Sequence, residues 1–406
     1  MSKGLKVVII SLITLIFLIG AYIGFIKYQQ YKEEERIRNA IIKIEFKDLQ
    51  IPFNTEIKVS DLISSINGEY ITNPVIDTSI VGRKEVSFKY LNEEEIKVPY
   101  SFYVDIIDNT PPVIWLGNSY TVTKGSKNFK DKIVCADDYD DNPVCEIIGE
   151  YDVNKTGNYN LSYKATDFSG NETKKDFTLK VVNPSSSSKK SSSSSSIPFK
   201  SLYNEYKNDK TKIGIDVSKW QGKIDYEKVK EEGVEFVFIK LGGQLGIGKE
   251  YYLDPKFKEN FEGFRKVGIP IGLYFYSYAN SVSAAYNDAL WVLEQIKGEK
   301  IDLPIAFDWE NWSSFNDFHM SFNTLTNAAN MFMKTIKDNG YEAMLYSSKN
   351  YLVNNWLKKD YPVWLAHYTS KTDYTGDYVC WQRTSLAKIS GITENTVDFD
   401  ICYKES

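Results

Sequence analysis

Two carboxylates in the run Pro304-Ile-Ala-Phe-Asp308-Trp-Glu310-Asn311 have the types and the spacing for acid–base chemistry. The residues before them are few and apolar, bounded by Pro304 and followed by Asn311-Trp312-Ser313, which reads as a buried strand running out into a loop. Residues i and i+2 of a strand share a face, so Asp308 and Glu310 are expected to point the same way. Carboxylates at a buried strand end are costly unless they are paired or shift their pKa. Cleavage of a glycosidic bond uses such a pair, one acid donating a proton to the leaving oxygen and the other serving as nucleophile or base. A solvated strand end carrying two ordinary acids has the same spacing, so the surrounding elements must decide between the two.

From Lys212 onward strand-like runs alternate with helical ones. Strands are expected at Ile213 to Val217, Phe236 to Leu241, Pro270 to Tyr278, Pro304 to Trp309, Glu342 to Ser347, Pro362 to Ala366, Tyr378 to Gln382 and Val397 to Ile401. Amphipathic helices are expected near 225–232, 255–267, 281–298 and 321–339, with a weak one near 349–357. Eight mostly parallel strands with shrinking connections fit an α/β fold, a (β/α) barrel with a reduced set of helices, and such barrels place their chemistry at the C-terminal strand ends. There the polar residues gather. Asp216 ends the first strand, Tyr274 and Tyr276 the third, Asp308 and Glu310 the fourth, Tyr346 the fifth; Tyr368 follows the sixth, Trp381 and Gln382 end the seventh, and Asp398 lies in the eighth. Four acids and several aromatics thus share one rim.

At 406 residues the chain is expected to hold two to three domains. Its net charge of -5, with signs interspersed, argues against a nucleic-acid partner. Val7 to Ile26 is uncharged and long enough for a single membrane pass, and Lys3 and Lys6 before it place residues 1–6 in the cytoplasm and everything after Lys27 outside the cell membrane. A cleaved signal peptide is the competing reading, with Gly20-Ala21 as a poor cleavage site. Residues 27–40 read as a polar helical stalk. Cysteines fall in two local pairs, Cys135 with Cys145 and Cys380 with Cys402, which suggests disulfides; free thiols used as small hydrophobes are the alternative. With His319 and His367 the only histidines, neither a zinc site nor a histidine-based triad is expected.

The serine-rich stretch at 184–210 reads as a flexible linker. Before it, Ser79-Ile-Val-Gly82-Arg-Lys-Glu-Val-Ser87-Phe-Lys89 recurs as Asn154-Lys-Thr-Gly157-Asn-Tyr-Asn-Leu-Ser162-Tyr-Lys164, 75 residues on. Each copy alternates apolar and polar residues between turn-rich breaks, so two antiparallel β-sandwiches are expected at 41–108 and 109–183. The second resembles bacterial immunoglobulin-like repeats of cell-surface proteins, through Asp108-Asn-Thr-Pro-Pro-Val113 and Thr166-Asp-Phe-Ser-Gly-Asn171. In such proteins the repeats act chiefly as spacers. The loop Asp137-Asp-Tyr-Asp-Asp141-Asn142 reads either as an acidic solvated turn or as a Ca²⁺ ligand cluster.

In the region 211–406, Gly214-Ile-Asp216-Val-Ser218-Lys-Trp220-Gln221-Gly222, Gly272-Leu-Tyr274-Phe-Tyr276-Ser277, Phe307-Asp308-Trp-Glu310, Trp364-Leu-Ala366-His-Tyr368 and Trp381-Gln382 together resemble glycoside hydrolase family 25, the muramidase-type lysozymes. The resemblance implies cleavage of the β-1,4 bond between N-acetylmuramic acid and N-acetylglucosamine in peptidoglycan, without cofactor. It implies Glu310 as general acid/base, Asp308 as its catalytic partner, and Asp216 and Asp398 as further acids of the groove. Tyr274, Tyr276, Tyr346, Trp364, Tyr368, Trp381 and Gln382 are expected to bind sugar. Crowding and partial burial predict that Glu310 holds a proton near neutral pH while Asp308 stays ionised, either as covalent nucleophile or by orienting the substrate's acetamido group. Phe275, Lys240 and Asp400 depart from the residues common in the family, which bears on sugar contacts and pH response. His367 reads as filler rather than as a substrate contact. The whole reads as a membrane-anchored wall hydrolase for remodelling or local opening, with wall or envelope-apparatus proteins as possible partners of the sandwiches. The alternatives are a barrel that binds wall glycan without cutting it and a glycosidase acting on a chitin-like polymer.

Overall fold

The computed structural model describes residues 3–127, 129–184, 195–357 and 361–404, with backbone alone for 3–13. The chain divides into two compact units, Met1–Asn109 and Thr110–Ser406. Residues 185–194 of the expected linker lie outside the described residues, as do residues 1–2 of the expected cytoplasmic N-terminus.

The first unit opens with a helix, Lys3–Arg38, which contains the run at 7–26 and residues 27–38 of the expected stalk. Among the described residues no helix is long and apolar enough to cross a membrane. A small β module follows. Its main sheet orders Gln50–Pro52, Lys97–Ile107, Gly82–Asn92 and Gly68–Tyr70, and every second residue of Gly82–Asn92 from Val86 is buried, as a half-buried strand requires.

The second unit begins with the same arrangement, a sheet of Ser119–Thr123, Glu172–Val182, Gly157–Thr166 and Val144–Ile148. Gly82 lies opposite Ile106 in the first module and Gly157 opposite Val181 in the second, so the 75-residue repeat is one hairpin used twice. Both sheets carry a parallel edge strand, which corrects the expectation of wholly antiparallel modules. A disulfide joins Cys135 to Cys145.

The rest of this unit is the barrel. Its strands are β1 (Thr211–Val217), β2 (Phe236–Gln244), β3 (Ile271–Tyr276), β4 (Ile305–Asp308), β5 (Ala343–Ser348), β6 (Val363–Ala366), β7 (Cys380–Lys388) and β8 (Val397–Tyr403). Neighbours pair in parallel from β1 to β7, and β8 closes the ring antiparallel to both β7 and β1. Alternate residues face inward and fill the interior: Phe236, Phe238, Met344 and Trp364 pack together, with the Cys380–Cys402 disulfide beside them. A Cβ on Gly214 or Gly272 would come within 2.4 Å of the Phe236 or Phe238 ring, so both positions must stay bare. The outer faces bury Ile213, Ile215, Val237 and Ile239 under α1 (Phe199–Tyr206), α2 (Tyr226–Glu231), α3 (Phe257–Lys266), α4 (Val282–Gln295), α5 (Phe322–Asp338) and α6 (Lys349–Asn354).

Two boundaries differ from expectation. The end of the expected linker is barrel: Ile197–Pro198 pairs with β7, and Phe199 and Leu202 of α1 are buried in its core. The second β module is also docked on the barrel rather than held off by a tether, with Val134 and Ala136 buried in the barrel's own core cluster.

Candidate active site

Period two decides which side chains meet at the C-terminal end of the barrel. Asp216, Lys240, Tyr274, Asp308, Tyr346, Trp364, Gln382 and Asp398 all take inward positions on successive strands, and Tyr276, Glu310 and Tyr368 complete the wall of a cavity of about 210 Å³. Ten of the eleven residues expected in the site therefore line it.

The exception is Trp381. It precedes the inward-facing Gln382, so parity turns its ring outward, where it packs edge-on against Tyr206 of α1 and its Nε1–H donates to the His367 carbonyl at 2.8 Å. The same parity sends Phe275 outward, fully buried among Trp291 and Phe332, so this departure from the family pattern lies outside the cavity. His367 contacts Thr372 Oγ1 through Nδ1 at 3.0 Å.

Lys240 was not assigned to the site from sequence, although the alternation Phe236, Phe238, Lys240 carries it inward. Its ammonium lies 4.7 Å from the Tyr276 ring centre and 5.7 Å from that of Tyr274. Gln382 ties the wall together: its Oε1 accepts from Tyr346 and Tyr368 hydroxyls at 2.9 Å each, and its Nε2 donates to Asp216 Oδ2 at 2.7 Å. Beneath it Asp400 is fully buried, with Oδ1 accepting from Trp364 Nε1 at 2.9 Å and its carboxyl in hydrogen-bond contact with that of Asp216.

The distribution of burial corrects the expected division between the two acids. β4 ends at Asp308, Trp309 is buried on the outer face, and the chain then turns, so Glu310 stands exposed at the cavity mouth while Asp308 is buried below it with Oδ1 unpaired. Burial first, then the neighbouring Glu310 carboxyl, raises the Asp308 pKa well above the ordinary carboxylate value, against the opposing pull of Lys240. In the free site, Asp308 is thus driven toward its neutral form, contrary to the expectation that it stays ionised. Burial and then Asp400 raise Asp216, against the Gln382 hydrogen bond. Asp398 is pushed up to about 9 by burial and then by Asp216. Clustered acids with one lysine give a site that stores protons and favours developing positive charge.

Residues 215–392 match the model of glycosyl hydrolases family 25. The C-terminal domain is a family 25 glycosyl hydrolase domain. The chain is 29% identical over 190 residues to an autolytic lysozyme of Clostridium acetobutylicum, covering 46% of this chain and 54% of that protein. It is 24% identical over 211 residues to lysozyme M1 of Streptomyces globisporus, covering 44% of this chain and 64% of that one. The chain thus spans about half the length of the clostridial relative. Among solved structures, the modular autolysin LytC of Streptococcus pneumoniae in complex with a synthetic peptidoglycan ligand aligns with a TM-score of 0.43 at 26% identity, over 60% of this chain and 56% of that one. A family 25 glycosyl hydrolase from Bacillus anthracis aligns at 0.42 and 20% identity, over 53% of this chain and 96% of that one. The matched stretch supplies every residue that lines the cavity except Asp398, which follows on the closing strand.

Proposed function

We propose that this protein cleaves the β-1,4 bond between N-acetylmuramic acid and N-acetylglucosamine in peptidoglycan. The observation that carries the proposal is the pairing of an exposed Glu310 at the mouth of the cavity with a buried Asp308 below it, in a wall of sugar-sized aromatics. Glu310 is placed to give a proton to the glycosidic oxygen as the bond from C1 breaks, and then to accept one from the attacking water. Asp308, neutral in the free site, can pass its proton to the neighbouring Glu310, which delivers it to the glycosidic oxygen, so that Asp308 is ionised as positive charge grows on the sugar ring, a form that Lys240 favours. Attack on C1 by Asp308 and orientation of the substrate's acetamido group both suit this arrangement. Tyr274, Tyr276, Tyr346 and Tyr368 present rings to the sugars with Trp364 packed behind them, and Gln382 fixes two of those tyrosines.

The finer reading is an extracytoplasmic enzyme at the cell membrane, held by residues 7–26 and serving wall remodelling or local opening. The uncharged run after Lys3 and Lys6 supports the anchor, and the duplicated, immunoglobulin-like β modules support a place at the cell surface.

Digestion of purified peptidoglycan with the full chain, followed by mass spectrometry of the new ends, tests the activity. Reducing-end N-acetylmuramic acid is expected, falling by about 10²–10⁴-fold with Glu310→Gln and also lost with Asp308→Asn. Reducing-end N-acetylglucosamine or 1,6-anhydro ends would overturn the assignment, and binding without cleavage would make the domain a glycan-binding scaffold.

A further inference from the structure

The loop that carries Glu310 is built against the second β module. After Glu310, Asn311 donates through Nδ2 to the Ser277 carbonyl at 3.3 Å, and the chain runs into the short helical segment Trp312–Phe318. That segment meets the module. Asn316 Oδ1 accepts from the Cys135 N–H at 3.0 Å, and its Nδ2 donates to the Ile133 carbonyl at 2.9 Å. The module's Trp115 packs among Trp312, Phe315, Phe322 and Tyr351, with ring centres 5.8 to 6.5 Å apart. Trp312 in turn lies 4.8 Å from Trp309, the residue between Asp308 and Glu310.

The module also caps the helix that ends this loop. Asp141 Oδ1 accepts from the Ser321 N–H at 2.6 Å and from Thr324 Oγ1 at 2.8 Å. The Phe322 and Asn323 N–H groups donate to the Asp137 and Asp138 carbonyls at 2.9 and 3.0 Å. The first turn of α5, whose amides a helix cannot satisfy for itself, is thus closed by the acidic loop of another module, with a carboxylate at the positive end of the helix dipole. Both ends of the segment between Glu310 and α5 are fixed, one to the barrel and one to the module.

We propose that the module at 110–183 is a positioning part of the hydrolase: through Asn316, Trp115 and Asp141 it sets the Glu310 loop, although its own residues stay outside the cavity. The proposal rests on the muramidase reading for the reaction it assists. Misplacing a catalytic group by about 1 Å can cost about 100-fold in rate, so a loop held at one end only should lose turnover rather than binding. A spacer would show no such dependence.

The test uses the full chain with Asp141→Ala, Asn316→Ala, Asp141→Asn and, on an exposed strand of the module, Lys180→Ala. Turnover and KM on soluble peptidoglycan fragments are read beside amide hydrogen exchange of residues 309–323. Asp141→Ala and Asn316→Ala are expected to lower kcat about 10- to 100-fold with KM within threefold, and to speed exchange across the loop. Asp141→Asn, which keeps the accepting oxygen, should restore both readouts, and Lys180→Ala should change neither. Faster exchange in the loop with kcat within twofold of the parent would overturn the proposal, as would unchanged exchange in both alanine variants. If Asn316→Ala does not fold, the Asp141 pair decides. A parent chain that cleaves no glycan would sink the muramidase reading alone, because the exchange measurement still shows whether the module orders the loop.

Discussion

Asp400 is the residue whose chemistry is least comfortable. It is fully buried, in hydrogen-bond contact with the Asp216 carboxyl, close to Asp398, and bonded through Oδ1 to Trp364. Burial and then Asp398 raise its pKa well above the ordinary value, so folding takes up a proton that the unfolded chain has already lost above about pH 4. The sign follows: this group's penalty is absent below its unfolded pKa and grows as pH rises, by at most about 1.4 kcal/mol per pH unit, until the folded group itself ionises. Asp400→Asn keeps the oxygen that Trp364 uses and removes the penalty. It should therefore stabilise the protein at pH 7 and leave stability unchanged at pH 4, as read from urea unfolding at the two values. Equal effects at both would show that Asp400 is not held neutral. The acids themselves could be found in the sequence because alternation along each strand puts Asp216, Asp308, Asp398 and Asp400 on the inner face. The same alternation turns Trp381 away from the cavity, and the exposure of Glu310 is not legible from strand parity, which ends with the strand at Asp308.

At the scale of elements, the eight barrel strands could be located because each is a short run of apolar and β-branched residues bounded by turn residues, and inner and outer faces are both buried. The direction of the last could not. Only 389–396 separate β7 from β8, too few for a crossover helix, and the closing strand accordingly runs antiparallel to both neighbours. Closure is reinforced covalently, since Cys380 and Cys402 face each other across β7 and β8 and their disulfide joins residues 22 apart. A cross-link over a loop of that size stabilises by about 3 kcal/mol. The double substitution Cys380→Ala with Cys402→Ala should thus lower the urea midpoint by an equivalent amount while leaving far-ultraviolet dichroism unchanged at low temperature. A midpoint within error of the parent would mean that packing of Trp364 and Phe238 alone closes the barrel.

At the scale of the molecule, sequence patterns separated the modules but could not show which of them touch. Trp115, Asn316 and Asp141 are residue types that serve equally well on a solvated surface, and the acidic loop at 137–142 reads as a solvated turn or a Ca²⁺ ligand cluster, with nothing in its sequence to show that its carbonyls cap α5. Contact of this kind makes Thr110–Ser406 one compact unit, for which opening as one cooperative body is the expectation. Trp115→Ala removes the ring shared by Trp312, Phe315, Phe322 and Tyr351 and should cost about 2–4 kcal/mol. If the two parts open together, native-state hydrogen exchange will show that loss equally in the slowest amides of Gly157–Thr166 and of β4, which lie in different sheets. A loss confined to the module, with β4 amides shifted by less than about 0.5 kcal/mol, would mean that the barrel stands alone and the module merely rests on it. The distinction bears on function, because only a shared opening lets a disturbance of the module reach the strand that holds Asp308.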